Sequence, residues 1–394
     1  MATTAIAILS STGSVGKCTL DVVALHPDRY RVQALPAYTL VEELFEQWER
    51  FKPRMAVIGA EHAVDQLYRK CQAEELDIQV DCRPAALEAI ASHSDVVTIT
   101  ASFVGVAGLM SALASAGAGK LIILASKESP VMSSQLLMQA ANQAGALIMP
   151  VDSEHNAIFQ SLPSTPSCVN IAEIVKILLT ASGDPLRYCT IEGLDVVTPQ
   201  QALTHPNWWK GSKITIDFTT LMNKELEVIE ACQLFDVGAD CVDVTVLSKS
   251  IIYSMASYQD GSEIAHMERP DMRAPIAHRL AWPERIDSGV APLNFLELSN
   301  LHFEVPYTSC FPVLRLALDA RREGGVAHAI LNAANEVAVD VFQTTSVAFL
   351  QLAEVVEQTL STSKISPASD LSTIIEADQT ARESAHRLIS TCAA

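Results

Sequence analysis

Two acidic residues come directly after a short apolar run, residues 144–149, and they are the first candidates for chemistry in this chain. Asp152 and Glu154 stand in the stretch PVDSEHN, residues 150–156. If the run is a β-strand that continues through them, both carboxylates point to the same side and could share one cation. They would then lie at the carboxyl end of a strand, where open α/β sheets place their ligands. A polar cap on a buried strand is the alternative, and this stretch alone does not separate the two.

A glycine-containing turn near the N-terminus is typical of phosphate-binding loops. Residues 10–16 read SSTGSVG, with Gly13 and Gly16 at the x-x-G spacing of the dinucleotide fingerprint. Ser10 stands where the first glycine of that fingerprint usually makes the tight turn. Residues 36–40, after the second predicted strand, offer neither an acid for an NAD ribose nor a basic residue for a 2′-phosphate. The turn therefore indicates a nucleotide site without discriminating NAD from NADP, and a turn that binds nothing is the alternative.

Two further loops carry polar or aromatic side chains. Lys127 and Glu128 follow the fifth predicted strand, so we expect them at the same sheet edge as the first turn, although a charged pair in a loop is often only solvated. Residues 205–211, HPNWWKG, place a histidine and two tryptophans in a loop bounded by proline and glycine. This composition suits a lid over a substrate, and tryptophans packed on the core are the alternative.

A third acid lies on a predicted helix that covers residues 217–231. Asn223 and Lys224 precede Glu227 by four and three residues, so one helix face carries an amide, an ammonium and a carboxylate together. An exposed ion-pair face would explain this pattern. The sharper hypothesis is that Glu227 is a third oxygen ligand beside the two acids of residues 150–156. Three carboxylates without a cysteine suit Mg²⁺ or Mn²⁺ rather than structural zinc.

Composition narrows the classes of function. The chain has 394 residues, a formal net charge of −19 and nine cysteines without a CxxC pair. So acidic a chain argues against nucleic acid as a partner, because phosphate backbones need basic surfaces. The longest apolar stretches fall short of the ~20 residues that span a bilayer, and the N-terminus lacks the pattern of a secretory signal, so we expect no membrane partner and a cytoplasmic location.

The predicted elements divide the chain into parts that position these residues. Short apolar strands alternate with helical patterns in the first 150 residues, which implies a parallel sheet covered on both faces. The strand candidates are residues 5–9, 32–35, 55–58, 96–100, 121–125 and 146–149. Strands at 174–181 and 250–258, with a hairpin through Asp260 and Gly261, suggest an α+β domain. From residue 312 onward four helical patterns suggest a small bundle. The expected boundaries are 1–151, 152–281, a linker at 282–310, and 311–394.

Read together, the motifs of this chain resemble the 1-deoxy-D-xylulose 5-phosphate reductoisomerase family. The likeness covers essentially the whole chain in order, and it rests on joint order and spacing rather than on one motif. The stretches that carry it are STGSVG (11–16), KES (127–129), PVDSEHNAIFQ (150–160), HPNW (205–208), LMNK (221–224), LEVIEA (226–231), PDMR (270–273) and LNAANEVA (331–338).

The resemblance implies a fold and an activity. The expected fold is α/β, with an N-terminal Rossmann-like parallel sheet that binds NADP, an α+β catalytic domain and a C-terminal helical bundle. The expected enzyme is a homodimer that acts on a small sugar phosphate. It rearranges the carbon skeleton of 1-deoxy-D-xylulose 5-phosphate with a divalent metal (Mg²⁺, Mn²⁺ or Co²⁺) and reduces the product with NADPH to 2-C-methyl-D-erythritol 4-phosphate, in the non-mevalonate isoprenoid pathway.

The resemblance also implies roles for individual residues. The metal ligands would be Asp152, Glu154 and Glu227. The substrate would be bound by Ser153, Ser182, His205, Trp208, Asn223, Lys224 and Glu227. The nucleotide would lie against Thr12, Gly13, Ser14, Val15, Lys127, Glu128 and Gly211. Lys127, Glu154 and His205 would take part in catalysis.

Several positions depart from the family pattern. They are Ser10 and Thr39 near the nucleotide, and Ser126, Asp184, Leu186, Lys210, Phe218, the run 247–249, Tyr253 and Glu268, most of which we expect around the substrate. Phe218 stands where a phosphate-binding serine is expected, so it removes a hydroxyl and adds a ring. These departures leave two alternatives open: an enzyme for a different sugar phosphate or polyol, and a non-catalytic relative.

Overall fold

The computed structural model divides the chain into two compact units. The structure describes residues 3–74, 79–82, 85–103, 105–165, 168–169, 171–182, 186, 188–204, 212–298, 300–306, 313–344 and 347–392. The first unit comprises Met1–Ser129, Gln135–Asn156 and Arg269–Pro292, and the second comprises Pro130–Ser134, Ala157–Glu268 and Leu293–Ala394.

The first unit is built on a seven-stranded parallel sheet. Its strands are β1 (Thr4–Leu9), β2 (Tyr30–Ala37), β3 (Met55–Ile58), β4 (Gln79–Asp81), β5 (Thr98–Ala101), β6 (Leu121–Leu124) and β7 (Leu147–Pro150). Their order across the sheet is β4-β3-β2-β1-β5-β6-β7, so β7 is an edge strand. The six predicted strands are all present. β4 was missed because its three residues, QVD, include only one apolar side chain.

The helices alternate with these strands and then dominate the second half of the chain. The described residues form α1 (Ser14–Leu25), α2 (Val41–Phe51), α3 (Glu61–Ala73), α4 (Ala86–Ser92), α5 (Gly105–Gly117), α6 (Glu128–Ala144), α7 (Ser153–Ser161), α8 (Ile191–Asp195), α9 (Pro199–Ala202), α10 (Ser212–Thr219), α11 (Met222–Leu234), α12 (Arg273–Ala281), α13 (Val313–Glu323), α14 (Ala327–Gln343), α15 (Gln351–Thr362) and α16 (Leu371–Cys392).

Both faces of the parallel sheet are buried, as the sequence predicts. Along β1, Ile6 and Ile8 belong to one apolar core, whereas Ala7 and Leu9 belong to another. Successive side chains of a strand point to opposite faces, so a strand that is buried on both sides needs apolar residues at every position. The Rossmann-like fold class is therefore confirmed for this unit.

The second unit contains a five-stranded mixed sheet. Its strands are β10 (Ile174–Ala181), β11 (Val242–Leu247), β12 (Ile252–Tyr258), β13 (Glu263–Met267) and β14 (Phe303–Glu304), in the order β13-β12-β10-β11-β14. β8 (Ser164–Thr165) and β9 (Cys168–Val169) form a separate two-stranded ladder. The predicted hairpin joins β12 to β13, with Gly261 at a φ of 83°, a conformation that favours glycine.

The helix predicted over residues 217–231 is two helices. α10 ends at Thr219, and Leu221 adopts a left-handed φ of 65° before α11 begins at Met222. The Thr220 hydroxyl accepts a hydrogen bond from the Met222 N–H at 3.3 Å, which satisfies a backbone donor at the new helix start. The break places Asn223 and Lys224 in the first turn of α11.

The four predicted C-terminal helices correspond to α13–α16. α14 is the central helix, since most of its side chains are buried. Arg382 of α16 binds both Asp378, on its own helix, and Glu336, on α14. Within the described part of the chain, none of the helices is long and apolar enough to cross a membrane.

Candidate active site

Asp152 begins a helix rather than extending a strand. β7 ends at Pro150, and α7 begins at Ser153, so the period-two argument for Asp152 and Glu154 was wrong. The Asp152 carbonyl accepts the Asn156 N–H at 2.8 Å, and its carboxylate accepts the Glu154 N–H at 3.2 Å. Asp152 therefore caps α7, and the helix start brings the two acids together.

The Asp152 carboxylate also has two side-chain partners. Lys127 Nζ lies 2.7 Å from its Oδ2 atom, and Nδ1 of the fully buried His155 lies 3.4 Å from Oδ1. Burial alone would raise the pKa of Asp152, but the charge of Lys127 and the contact with His155 outweigh it and hold the pKa well below its ordinary value. Asp152 is thus a stable anion. No role was predicted for His155, although it lies inside the stretch that contains the two acids.

Glu154 stands in the first turn of α7. Its Oε2 atom accepts a hydrogen bond of 2.6 Å from the Ser153 hydroxyl. The amino end of a helix favours negative charge, so this position suits a carboxylate even though Glu154 is buried.

The polar face of α11 is buried. Asn223, Lys224 and Glu227 are each no more than 3% exposed, so the alternative of an exposed ion-pair face was wrong. Asn223 Nδ2 donates to one carboxylate oxygen of Glu227, and Lys224 Nζ contacts the other. Two such donors fix the orientation of the Glu227 carboxylate.

One oxygen from each of Asp152, Glu154 and Glu227 lies within 4.8 Å of the other two. Among the residues that the structure describes, these three acidic side chains are close enough together to bind one metal ion. The donors are all carboxylates, a set that fits a hard cation such as Mg²⁺ or Mn²⁺.

The glycine-containing turn follows β1 and leads into α1. Ser10 has a left-handed φ of 68°, so it adopts the conformation for which the fingerprint normally uses glycine. A Cβ atom on Gly16 would lie 2.3 Å from the Ser10 carbonyl oxygen, so only glycine fits there. Gly13, in an extended conformation, is the N-cap of α1 and provides no side-chain cap. The free N–H groups at the start of α1 are suited to a phosphate.

The remaining predicted residues divide into described and undescribed ones. Thr12 and Gly13 precede α1, Ser14 and Val15 begin it, Glu128 is the first residue of α6, and Ser182 follows the last residue of β10. Val15 is partly buried and packs against the apolar core of the first unit. His205, Trp208 and Gly211 lie outside the described residues, as do Asp184 and Lys210.

Two of the departures from the family pattern are core residues of the second unit. Leu247 packs in an apolar cluster with Ile251, Ile252 and Met255, and Tyr253 is buried in β12. Glu268 lies near His266, with 3.7 Å between the Oε2 and Nε2 atoms. Leu247 therefore has a packing role that explains an apolar residue at this position.

A Rossmann-like domain with a glycine-containing turn after its first strand, together with three converging carboxylates, fits the class of metal-dependent oxidoreductases. Comparisons with known proteins identify which one it resembles. Models of 1-deoxy-D-xylulose 5-phosphate reductoisomerase and its C-terminal domain match residues 6–134 and 148–235, and the DXP reductoisomerase C-terminal domain matches residues 267–384. The chain belongs to the 1-deoxy-D-xylulose 5-phosphate reductoisomerase family.

Individual relatives agree with this family over their full lengths. The reductoisomerase of Janthinobacterium sp. (strain Marseille) is 47% identical over 98% of this chain and 99% of its own. That of Methylobacillus flagellatus is 48% identical over 97% and 96%. A crystal structure of DOX-P reductoisomerase in complex with NADPH, fosmidomycin and magnesium is 39% identical, covers 98% of both chains and has a TM-score of 0.92. The Zymomonas mobilis enzyme in complex with NADPH is 36% identical, covers 98% of this chain and 99% of its own, and also has a TM-score of 0.92.

Proposed function

We propose that this chain converts 1-deoxy-D-xylulose 5-phosphate into 2-C-methyl-D-erythritol 4-phosphate, with NADPH as the hydride donor and a divalent metal ion. The observation that carries the proposal is the convergence of Asp152, Glu154 and Glu227 in a chain of this family. Relatives that bind NADPH and magnesium support the two cofactors. The alternative, an enzyme for another sugar phosphate or polyol, rests on two departures from the family pattern. They are Phe218, which is half-buried in α10, and Asp184, which lies outside the described residues.

The three carboxylates would hold the metal ion, which supplies Lewis-acid stabilisation of negative charge on substrate oxygens. Three neighbouring side chains act on these carboxylates rather than on the metal ion. Lys127 keeps Asp152 ionised, while Asn223 and Lys224 orient Glu227. Because these donors hold the acids before any ligand binds, little reorganisation is required when substrate oxygens arrive.

The nucleotide would bind at the start of α1. In this proposal, the backbone of Thr12, Gly13, Ser14 and Val15 receives the pyrophosphate, since the N–H groups of a helix start favour negative charge. Lys127 and Glu128 belong to the nicotinamide side, and Gly211 is a further cofactor-binding residue. Tyr38 and Thr39 are both uncharged, so this pair offers no basic side chain to bind the 2′-phosphate of NADPH. The ratio of KM for NADPH to KM for NADH measures the preference.

The substrate would be held by Ser153, Ser182, Asn223 and Lys224, with His205 and Trp208 as further members of the site. Lys224 is the cation we assign to the phosphate. The Ser153 hydroxyl donates to Glu154. The orientation of Ser153, a proposed substrate-binding residue, is therefore coupled to that of Glu154, a proposed metal ligand. In this proposal the aldehyde that precedes hydride transfer must be protected from water, and the family resemblance gives that role to Trp208.

The test is NADPH oxidation in the presence of 1-deoxy-D-xylulose 5-phosphate and Mn²⁺, with product identified by mass spectrometry. Glu154→Gln should lower kcat by about a hundredfold or more, because a neutral amide is a poor ligand for a hard cation. Glu323→Gln, on the exposed end of α13, is the matched control and should keep wild-type rates. A wild-type protein without turnover would refute the proposal, and equal rates for Glu154→Gln and wild type would refute the metal assignment.

We also propose that the enzyme is a homodimer through the second unit. Large apolar side chains are exposed in the segments that precede and follow the edge strand β14, including Leu296 (96% exposed), Val305 (87%) and Phe295 (63%). Exposed apolar side chains and an open sheet edge both suit burial against a second copy. Leu296→Asp should shift sedimentation toward monomer, whereas Tyr68→Asp, at an exposed position of α3, should not. A monomeric wild-type protein would contradict this.

The cytoplasm is the compartment that we propose. The six cysteines described as free thiols, Cys18, Cys71, Cys82, Cys189, Cys232 and Cys241, are typical of a reducing environment. Cell fractionation with an antibody to the chain tests this location.

A further inference from the structure

The end of β7 has a backbone carbonyl that the sheet cannot pair. β7 is an edge strand, and the Val151 N–H donates to the Leu124 carbonyl of β6 at 2.9 Å. The Pro150 carbonyl belongs to the same peptide unit as that N–H, so it points the opposite way, to the open edge. A proline is tolerated here because the N–H it lacks would also face outward. The acid-bearing stretch therefore starts from a carbonyl that needs a donor from outside the sheet.

Arg279 of α12 provides that donor. Its Nε–H donates to the Pro150 oxygen at 2.9 Å, and Nη1 lies 3.9 Å from Met149 Sδ. The side chain is fully buried. Burial lowers the pKa of Arg279 to about 9, which still leaves it protonated at neutral pH. A charged donor to a backbone carbonyl forms a stronger hydrogen bond than a neutral one.

The same helix holds the other end of the stretch. His278, next to Arg279, places Nδ1 2.8 Å from Asn156 Oδ1. Two consecutive residues of α12 thus contact the first and the last residue of 150–156, and Asp152 and Glu154 lie between these contacts. A peptide fixed at both ends has few conformations, so its carboxylates keep one arrangement.

We infer that Arg279 is a positioning residue for the metal site, acting through its Nε–H hydrogen bond to the Pro150 carbonyl. The inference rests on the proposed role of Asp152 and Glu154 as metal ligands, and Arg279 acts on them through the backbone of Pro150, which precedes Asp152 by two residues. Groups that orient metal ligands from behind commonly change metal affinity by about ten- to a hundredfold when removed. Loss of the Nε donor should therefore weaken metal binding without removing any ligand.

The experiment is a calorimetric titration of metal-free, full-length protein with MnCl₂. Arg279→Met keeps much of the side-chain volume and removes every donor, so the Kd for Mn²⁺ should rise about ten- to a hundredfold. The matched control is Arg273→Met on the same helix, whose ion pair is with Asp271, and its Kd should stay within twofold of wild type. A folded Arg279→Met protein that binds Mn²⁺ as tightly as wild type would overturn the inference.

Hydrogen exchange of the amides of residues 151–156 gives a second readout that does not depend on the metal. Exchange should accelerate at least several-fold in Arg279→Met and remain unchanged in Arg273→Met, since only the first change frees the Pro150 carbonyl. If wild-type protein binds no Mn²⁺, the proposed metal site is wrong, and unchanged exchange in Arg279→Met then separately refutes the positioning role.

Arg279→Lys is the variant to use if Arg279→Met does not fold. It keeps the positive charge but lacks the Nε donor and the planar guanidinium. Mn²⁺ affinity and amide exchange should lie between those of wild type and the expected values for Arg279→Met. Wild-type values for both would overturn the role given to the Nε hydrogen bond.

Discussion

Replacement of Lys127 by methionine tests whether Asp152 depends on its ion pair. The change keeps an unbranched side chain but removes the ammonium that lies 2.7 Å from Asp152 Oδ2. The two side chains are only 15% and 13% exposed, so solvent cannot compensate fully for the lost charge. Breaking a buried pair typically costs about 3–5 kcal/mol, and the residual exposure places this one near the lower value, at about 3 kcal/mol in metal-free protein at pH 7.

Urea denaturation in EDTA measures this free energy of unfolding. With saturating Mg²⁺ the difference between variant and wild type should shrink, because a bound cation compensates the same carboxylate. The exposed pair Lys17–Glu43 provides the matched control, and Lys17→Met should change stability by less than about 1 kcal/mol. A Lys127→Met protein as stable as wild type in EDTA would refute the assigned role of Lys127.

The pH dependence of the same experiment has a defined sign. The pKa of Asp152 is lower in the folded protein than its ordinary value of 3.8, so its stabilising contribution is complete above that value. The contribution is lost as pH falls through the lower, folded pKa. The stability difference between wild type and Lys127→Met should therefore be constant near neutral pH and decrease in acid below about pH 4. A difference that grows in acid would contradict the ion-pair explanation.

Two further substitutions probe the nucleotide turn and the core of the second unit. Gly16→Ala places a Cβ 2.3 Å from the Ser10 carbonyl oxygen, so the turn must distort and NADPH affinity, measured by fluorescence, should fall at least tenfold. The control is Gly117→Ala, whose Cβ meets nothing within 4 Å and which should leave NADPH affinity unchanged. Leu247→Ala should lower the free energy of unfolding by about 2–5 kcal/mol with an unchanged KM, because the side chain fills an apolar cluster. A raised KM at unchanged stability would instead place Leu247 at the substrate.

The strands were predictable because burial on two faces leaves a strong signal in the sequence. β3 spans the predicted residues, and β1 and β6 differ from their predictions by a single residue at one end. The break between α10 and α11 was not predictable from periodicity, since apolar and polar residues continue at helical spacing through it. The chain leaves the helical conformation at Leu221, which has a left-handed φ. Leucine is not a residue type that indicates such a conformation, so the sequence does not predict the break.

Asp152 and Glu154 were recognised as candidates from their type and place, but on incorrect geometry. The two carboxylates can come together in a continuing strand or at the start of a helix. The apolar run before them is compatible with both structures, so it did not distinguish them. Arg279 could not be found in this way. It is separated from Pro150 by 129 residues, and a fully buried arginine looks the same in sequence as an exposed one. Contacts of this kind depend on tertiary packing alone.

The charges at the site explain how a strongly acidic chain can bind an anionic substrate. The three carboxylates of Asp152, Glu154 and Glu227 are accompanied by the ammonium groups of Lys127 and Lys224, which leaves one net negative charge. A divalent cation reverses that sign to one net positive charge. In this scheme the site attracts a metal ion first and a phosphate-bearing substrate only afterwards, which follows from local charges and not from the net charge of −19. Substrate affinity should therefore require the metal ion, whereas affinity for the metal ion should not require substrate.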